Sequence, residues 1–118
     1  MEKKIKQLSI EEKVGQMFII GINKTNPLSL IKEYISRDKV GGILLYKKNY
    51  KNQEELLKLV NSIKEINAKN PIPIFIATDQ EGGRVNRMPK EFLNLPSAYR
   101  LAQYQEENLV EQARRNCR

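Results

Sequence analysis

The chain has 118 residues, of which 40% are hydrophobic and 30% charged, and its formal net charge of +7 accompanies a composition typical of one globular domain with a modest core. It contains no histidine and one cysteine, Cys117, which excludes Ser-His-Asp and Cys-His triads, His-ligated zinc and a disulfide within the chain. No apolar run reaches the roughly 18–20 residues that cross a membrane, and no apolar segment follows the charged N-terminus, so we expect a cytoplasmic protein with no membrane partner.

The N-terminal part of the chain is predicted to form a helix followed by a strand. Ser9 is a capping residue and Glu12 completes a capping box, so we expect a helix over about residues 9–16. The apolar run at residues 17–22 predicts the first strand. Because its apolar residues do not alternate with polar ones, we expect this strand to be buried on both faces.

A second strand and two further helices follow in the same order. Pro27 suits a helix start, and an apolar stripe continues from it to about residue 37. Residues 41–46 form the second predicted strand, and residues 47–51 form a loop. Asn52 then begins a helix with helical apolar spacing, which the prolines after residue 70 end.

Residues 74–78 are the third predicted strand, followed by a long loop over 79–96 and a last helix over about 97–115. The alternation of strands and helices predicts the α/β class, with a parallel sheet built from an N-terminal helix and about three βα units. Three strands are few for such a domain. The chain is therefore either a small sandwich of three βα units or part of a larger barrel or sheet.

Two carboxylates, two glycines and two arginines follow the third strand, at the end where α/β proteins bind ligands. They are Asp79, Glu81, Gly82, Gly83, Arg84 and Arg87. The first carboxylate can accept two hydrogen bonds from adjacent hydroxyl groups, the glycines permit positive φ, and the arginines donate to oxygen-rich groups. Glu81 could pair with either arginine. The segment is a candidate ligand site, although a plain glycine turn with a capping carboxylate would use the same residues.

Other kinds of site fit this segment less well. Asp79 and Glu81 lack further obvious metal ligands, so we predict no metal and no cofactor. The glycines are not part of the GxxxxGK[ST] pattern of a phosphate loop. The lysines of the chain are scattered, and the best basic cluster, residues 47–51, has one tyrosine among three lysines. We therefore predict no nucleic-acid partner.

The nine residues 79–87, Asp-Gln-Glu-Gly-Gly-Arg-Val-Asn-Arg, resemble the signature of the family-3 glycoside hydrolases, in particular their bacterial β-N-acetylhexosaminidase branch. Residues 8–17 resemble the N-terminal helix and first strand of that family. Residues 40–45 resemble its second strand, and residues 95–98 resemble the segment before its next helix. The resemblance extends over nearly all of residues 8–113.

This resemblance implies a partial (β/α)8 TIM barrel, in which residues 1–118 are an N-terminal fragment of the family's barrel domain. It implies hydrolysis, with retention, of terminal N-acetylglucosamine-type bonds, often in peptidoglycan recycling. The expected partner is thus an N-acetylglucosamine-containing glycan. Asp79 corresponds to a residue that binds hydroxyl groups of the sugar, and Arg87 to a second sugar-binding residue. We assign the shaping of the loop to Glu81, Gly82, Gly83 and Arg84.

The same resemblance implies that the catalytic groups lie downstream of these residues, in a Lys-His pair, a His-Asp pair and an aspartate nucleophile. Because the resemblance assigns Asp79 to sugar binding, we do not expect Asp79 and Glu81 to be the two groups, about 5 Å apart, of a retaining glycosidase. We predict no catalytic residue and no hexosaminidase activity for this chain alone. A truncated or frameshifted reading frame, or a piece of a longer gene, would explain its length.

Three functions remain open from the sequence. The chain is the first part of a hexosaminidase, a non-catalytic fragment that binds sugar or completes a barrel with the missing C-terminal half, or a small basic anion-binding protein. Three strands cut from a barrel would leave two open edges and an uncovered inner face. We therefore expect the isolated chain to self-associate or to remain partly molten.

Overall fold

The computed structural model describes residues 2–25, 27–92, 96–103, 110–111 and 114. Strands and helices alternate in it after two short N-terminal helices. The helices are α1 (Glu2–Lys6), α2 (Ile10–Gly15), α3 (Leu28–Ser36), α4 (Gln53–Asn67) and α5 (Ala98–Leu101), and the strands are β1 (Ile19–Gly21), β2 (Gly42–Leu45) and β3 (Phe75–Thr78). A 3-10 helix, Lys47–Asn49, lies between β2 and α4.

The three strands form one parallel sheet in the order β1-β2-β3, which confirms the predicted α/β class. Ile19 of β1 pairs with Gly42 of β2, and Gly42 pairs in turn with Phe75 of β3. Helix α3 connects β1 to β2, and helix α4 connects β2 to β3. Such a connection lets each strand run parallel to the one before it.

The hydrophobic core lies between the sheet and helices α3 and α4. Ile31 and Ile35 of α3, Ile43 of β2 and Ile63 of α4 are completely buried. Apolar residues recur every three or four positions in both helices, so one side of each helix packs on the sheet while the other is solvated. Burial of each such side chain contributes roughly 1.5–3 kcal/mol relative to its exposure.

The opposite face of the sheet is exposed in the described part of the chain. Ile19 is 58% exposed and Phe75 is 70% exposed. They flank Gly42, at which a Cβ would lie 2.9 Å from the Ile19 side chain and 3.2 Å from that of Phe75. The prediction that β1 is buried on both faces is wrong, because α3 and α4 cover one face only. The expectation of an uncovered face agrees with this arrangement.

The first strand is also shorter than predicted. Met17 and Phe18 continue the turn after α2, since their backbone N–H groups donate to the carbonyls of Val14 and Gly15. A Cβ at Gly15 would lie 2.1 Å from the Asp38 carbonyl oxygen. The absence of a side chain there lets the end of α2 approach the segment that leads into β2.

Both predicted helix-capping signals are present. The Ser9 hydroxyl accepts from the Glu12 N–H at 3.2 Å, and the Glu12 carboxylate accepts from the Ser9 N–H at 2.9 Å. The Asn52 side-chain oxygen accepts from the Glu55 N–H at 2.9 Å. Helix α1 was not predicted, and the predicted loop at 47–51 contains the 3-10 helix.

Only part of the predicted C-terminal helix lies within the described residues. Helix α5 begins as predicted, with the Ser97 hydroxyl accepting from the Arg100 N–H at 3.4 Å, but a turn at 102–103 follows it. Residues 110, 111 and 114 are again helical, whereas residues 104–109, 112–113 and 115 are outside the described residues. No helix in the described ranges is long and apolar enough to cross a bilayer.

Candidate functional site

The predicted motif begins where β3 ends. Thr78 is the last residue of β3, and its hydroxyl donates to the carbonyl of Leu45 at 3.0 Å, which joins the ends of β2 and β3. Asp79 follows, with its side chain 46% exposed. Its carboxylate therefore lies at the C-terminal edge of the sheet, where α/β proteins place ligand-binding groups.

Arg87 lies beside Asp79 although it comes eight positions later in the chain. Its Nη2 is 3.9 Å from the Oδ2 of Asp79, and its side chain is 32% exposed. This distance is too long for a hydrogen bond between the two atoms, so both remain able to bond a ligand placed beside them. The Nε of Arg87 is buried and has no acceptor among the described residues.

Gln80 holds the segment that carries Arg87. Its Oε1 accepts from the N–H groups of Arg87 at 2.8 Å and Met88 at 3.2 Å, and its Nε2 donates to the Asn86 Oδ1 at 2.8 Å. One amide side chain thus binds three consecutive residues and keeps Arg87 close to Asp79. Sequence reasoning missed this role. The signal in the sequence was a glutamine inside the motif, because its side-chain amide can donate and accept hydrogen bonds at the same time.

Tyr50 is a second anchor for the same segment. Its hydroxyl donates to the Arg87 carbonyl at 3.0 Å, and the residue is 5% exposed. Burial raises the pKa of Tyr50, and the Thr78 hydroxyl and the Arg87 charge partly oppose this shift. The hydroxyl is therefore protonated near neutral pH and able to donate. Sequence reasoning missed Tyr50 too, because it precedes Arg87 by 37 positions.

Asn49 fixes the turn that presents Tyr50. Its Oδ1 accepts from the Tyr46 N–H at 2.6 Å, and its Nδ2 donates to the carbonyls of Ile22 at 2.9 Å and Lys24 at 2.7 Å. These bonds connect the segments that follow β1 and β2. The buried amide therefore satisfies backbone groups that would otherwise be unpaired at this edge of the sheet.

Gly82 and Gly83 form the turn inside the motif. Their φ angles are 78° and 56°, in the region that glycine adopts most easily. The Glu81 N–H donates to the Val85 carbonyl at 2.9 Å, and the Val85 N–H donates to the Gly82 carbonyl at 3.2 Å. A Cβ at Gly83 would lie 2.9 Å from the Ser97 Cβ. Both the conformation and the close contact with the start of α5 therefore favour glycine.

Glu81 and Arg84 lie apart from the pair formed by Asp79 and Arg87. Neither residue forms an ion pair within the described ranges. The described residues therefore do not show the pairing of Glu81 with an arginine that the sequence suggested. Both line a cavity of about 840 Å³ beside α5. The described residues hold no group of three or more acidic or cysteine side chains that could bind a metal.

Comparison with protein families decides where this arrangement belongs. The family model described as "Glycosyl hydrolase family 3 N terminal domain" matches residues 9–118. This chain belongs to glycosyl hydrolase family 3. The family-3 match includes the three strands and the whole motif at residues 79–87, and it confirms the resemblance and the enzyme class that the motif predicted.

Two similar proteins carry the name beta-hexosaminidase. A beta-hexosaminidase from Photobacterium profundum is 41% identical over 73 residues, which are 62% of this chain and 21% of that protein. A beta-hexosaminidase from Stenotrophomonas maltophilia is 32% identical over 80 residues, which are 68% of this chain and 23% of that protein.

Solved structures show the same similarity. The glycoside hydrolase family 3 beta-N-acetylglucosaminidase from Paenibacillus sp. str. FPU-7 aligns with a TM-score of 0.80 and 30% identity, covering 90% of this chain and 20% of that one. A family-3 glycosyl hydrolase from Mycobacterium smegmatis aligns with a TM-score of 0.67 and 25% identity, covering 86% of this chain and 29% of that one. This family-3 chain therefore spans about a fifth to a third of the length of these four proteins.

Proposed function

We propose that Asp79 and Arg87 bind hydroxyl groups of a terminal N-acetylglucosamine-type sugar, in a β-N-acetylhexosaminidase that hydrolyses O-glycosidic bonds. The observation that carries this proposal is the pair itself, with 3.9 Å between its nearest charged atoms at the C-terminal edge of the sheet. The pair lies inside the residues that the family model matches. The names of the relatives, beta-hexosaminidase and beta-N-acetylglucosaminidase, support this choice of sugar.

The two side chains offer complementary hydrogen bonds to a sugar. The Asp79 carboxylate accepts from two adjacent hydroxyl groups, and an ionised acceptor makes these bonds stronger than neutral ones. The Arg87 guanidinium donates to sugar oxygens through a planar set of N–H groups. Gln80 holds the backbone of Arg87 in place by accepting from its N–H group and from that of Met88. We assign the shape of the adjoining turn to Glu81, Gly82, Gly83 and Arg84.

We also propose that residues 1–118 belong to a partial (β/α)8 barrel, as N-terminal part of the family-3 barrel domain. Parallel strands that alternate with helices on one face of the sheet are the repeating unit of such a barrel. The exposed apolar side chains of Ile19 and Phe75 on the other face suit the interior of a closed barrel. The TM-score of 0.80 to a family-3 structure supports this proposal.

We assign no catalytic residue to these 118 residues. A retaining glycosidase uses a nucleophile and an acid/base about 5 Å apart. Asp79 pairs with Arg87, whereas Glu81 lines the cavity beside α5. The two carboxylates therefore have different neighbours. In this proposal the chain binds the sugar, and groups outside these residues cleave the bond.

Titration with N-acetylglucosamine, followed by amide NMR signals, tests the binding proposal. We expect shifts centred on Asp79, Gln80 and Arg87, and a loss of about tenfold or more in affinity for Asp79→Asn, since hydrogen bonds to charged groups are worth about 1.5–3 kcal/mol. Glu65→Gln, which removes an exposed carboxylate of α4, is the matched control. Equal affinities of wild type and Asp79→Asn would contradict the proposal.

Hydrolysis of a nitrophenyl N-acetylglucosaminide tests the absence of catalytic residues. We expect no turnover by the 118-residue chain, because loss of a positioned acid/base or nucleophile costs orders of magnitude in rate. Turnover that Asp79→Asn abolishes and Glu65→Gln preserves would contradict the assignment of no catalytic residue to this chain.

A second candidate function is completion of a barrel with a separate polypeptide. The exposed face around Ile19 and Phe75 favours it, because apolar side chains of this size gain stability on burial. The chain, mixed with a polypeptide that supplies the C-terminal part of a family-3 barrel, should form a one-to-one complex in sedimentation. Phe75→Ser should weaken this complex, and Tyr99→Ser, at an exposed residue of α5, should not.

A further inference from the structure

A second cavity, of about 420 Å³, borders Arg87. Its volume falls within the range of roughly 300–1,000 Å³ typical of small-molecule pockets. The charged residues that line it are Lys47, Lys51, Arg87, Lys90 and Glu91. Four cations and one carboxylate leave an excess of three positive charges around a single cavity.

Two segments that are distant in the sequence form this cavity. Lys47 and Lys51 lie in and after the 3-10 helix that follows β2, whereas Arg87 and Lys90 lie in the loop after β3. The hydrogen bond from the Tyr50 hydroxyl to the Arg87 carbonyl, 3.0 Å long, joins the two segments. The tertiary structure thus concentrates charges that appear scattered along the chain.

The three lysines are not neutralised by ion pairs within the described ranges. Lys58 of α4, by contrast, bonds Glu54 at 2.6 Å. Like charges around one cavity repel one another and attract anions from solution. Lysine and arginine are also the usual donors to carboxylate and phosphate oxygens.

We propose that this cavity binds an oxyanion, either a carboxylate or a phosphate, carried by the sugar that Asp79 and Arg87 hold. The inference rests on the proposed function, because Arg87 borders the cavity and also belongs to the sugar-binding pair. A nucleic acid fits this surface less well. Tyr50, the aromatic residue of the cavity, is 5% exposed and has no free face on which a base could stack.

NMR titrations of the 118-residue chain with four probes separate sugar binding from anion binding. The probes are N-acetylglucosamine, N-acetylglucosamine 6-phosphate, N-acetylmuramic acid and inorganic phosphate. We expect either the phosphorylated or the carboxylated sugar to bind about tenfold more tightly than the neutral sugar, as three exposed charge interactions of modest strength add. The tighter of the two identifies the oxyanion. The gain should shrink with added salt.

A triple variant tests the assignment to the cavity. Lys47→Gln, Lys51→Gln and Lys90→Gln together should remove the tenfold gain and leave the affinity for N-acetylglucosamine unchanged. The control removes three exposed lysines elsewhere, by Lys13→Gln, Lys64→Gln and Lys69→Gln. Both variants have the same net charge, so only the position of the lost charges differs, and the control should retain the gain.

The outcomes distinguish this inference from the proposed function. No gain for either anionic sugar, or an equal loss of the gain in both variants, would overturn the inference while N-acetylglucosamine binding still supported the proposed function. Phosphate binding that depends on Lys47, Lys51 and Lys90 without any binding of N-acetylglucosamine would contradict the proposed function, and it would overturn the inference that a sugar carries the oxyanion. Binding of a random DNA duplex more tightly than of either anionic sugar, lost in the cavity variant, would also overturn the inference.

Discussion

The two faces of the sheet have similar apolar residues and opposite environments. Ile43 and Leu45 are 0% and 2% exposed on the face that α3 and α4 cover, whereas Ile19 and Phe75 are 58% and 70% exposed on the other face. Both sets are aliphatic or aromatic. The composition of a strand therefore does not determine its burial, which depends on the helices that the connections place over each face.

The candidate site begins at the end of β3, the strand that carries Phe75. Successive side chains of a strand point to opposite faces, so Phe75 and Ala77 lie on the same face, and Asp79 follows them at its end. Ile74 and Ile76 pack against the core instead. The strand that carries the exposed Phe75 therefore leads directly to the proposed sugar-binding pair.

The largest expected difference between the two faces is in stability. Ile63→Ala removes a completely buried side chain of α4 and should lower the free energy of unfolding by about 2–5 kcal/mol. Phe75→Ala removes a larger side chain from the exposed face, yet it should change this free energy by less than about 0.5 kcal/mol. Urea denaturation followed by circular dichroism measures both. Equal losses would mean that Phe75 is buried in solution.

The buried hydrogen bonds of Asn49 at the edge of the sheet should matter nearly as much as the apolar core. Asn49→Ala leaves the backbone groups of Tyr46, Ile22 and Lys24 without their side-chain partner. The expected loss is about 1–3 kcal/mol in the free energy of unfolding. Asn61→Ala, at an exposed position of α4, is the control in the same denaturation experiment. A negligible loss for Asn49→Ala would show that water replaces its bonds.

Tyr50 lies where the covered side meets the candidate site, and its ionisation tests that boundary. Burial raises the pKa of Tyr50 in the folded chain. The contribution of Tyr50 to the free energy of unfolding is therefore complete at pH values below about 10, the ordinary pKa of tyrosine. It declines at higher pH, because Tyr50 then ionises in the unfolded chain before it ionises in the folded one. Tyr50→Phe should cost about 1 kcal/mol at neutral pH through the lost hydrogen bond. It should also flatten the alkaline decline in stability.

Tyr99→Phe is the control for this pH dependence, because Tyr99 is 76% exposed. Its profile of unfolding free energy against pH should match that of the wild type. An identical alkaline decline in all three proteins would show that Tyr50 ionises as freely in the folded chain as in the unfolded one.

The smallest expected effect belongs to a local feature on the surface. Ser9→Ala removes the capping box of α2 and should cost about 0.5–1 kcal/mol. Ser29→Ala, in the first turn of α3 where no side-chain cap is formed, should cost less. Thermal unfolding of both variants measures the difference, and an equal shift in Tm would contradict a stabilising role for the Ser9 cap.

Local signals in the sequence predicted most elements of the fold. The capping residues Ser9 and Asn52 predicted the starts of α2 and α4, because a cap depends on residues three positions away. The apolar runs predicted β2 and β3 within one residue or two at each end. The apolar run at 17–22 predicted too long a strand. The N–H groups of its first two residues donate to carbonyls of α2, and only Ile19–Gly21 joins the sheet.

Sequence reasoning found the motif residues of the candidate site but not their supports. Asp79 and Arg87 are eight positions apart within one specific motif, so a single segment was enough to select them. Gln80 is in the same motif, yet its three hydrogen bonds depend on how the turn closes. Tyr50 and Lys90 come from segments on either side of α4 and β3, and no periodicity in the chain connects them.

The sequence by itself determined the α/β class, the family and the pair of candidate sugar-binding residues, because these depend on local periodicity, capping and one contiguous motif. The tertiary structure decided which face of the sheet is buried and how Gln80 and Tyr50 hold Arg87. It also decided which lysines lie around one cavity. Burial and charge density depend on distances between segments far apart in the chain. Such distances exist only once α3 and α4 have packed on one face of the sheet.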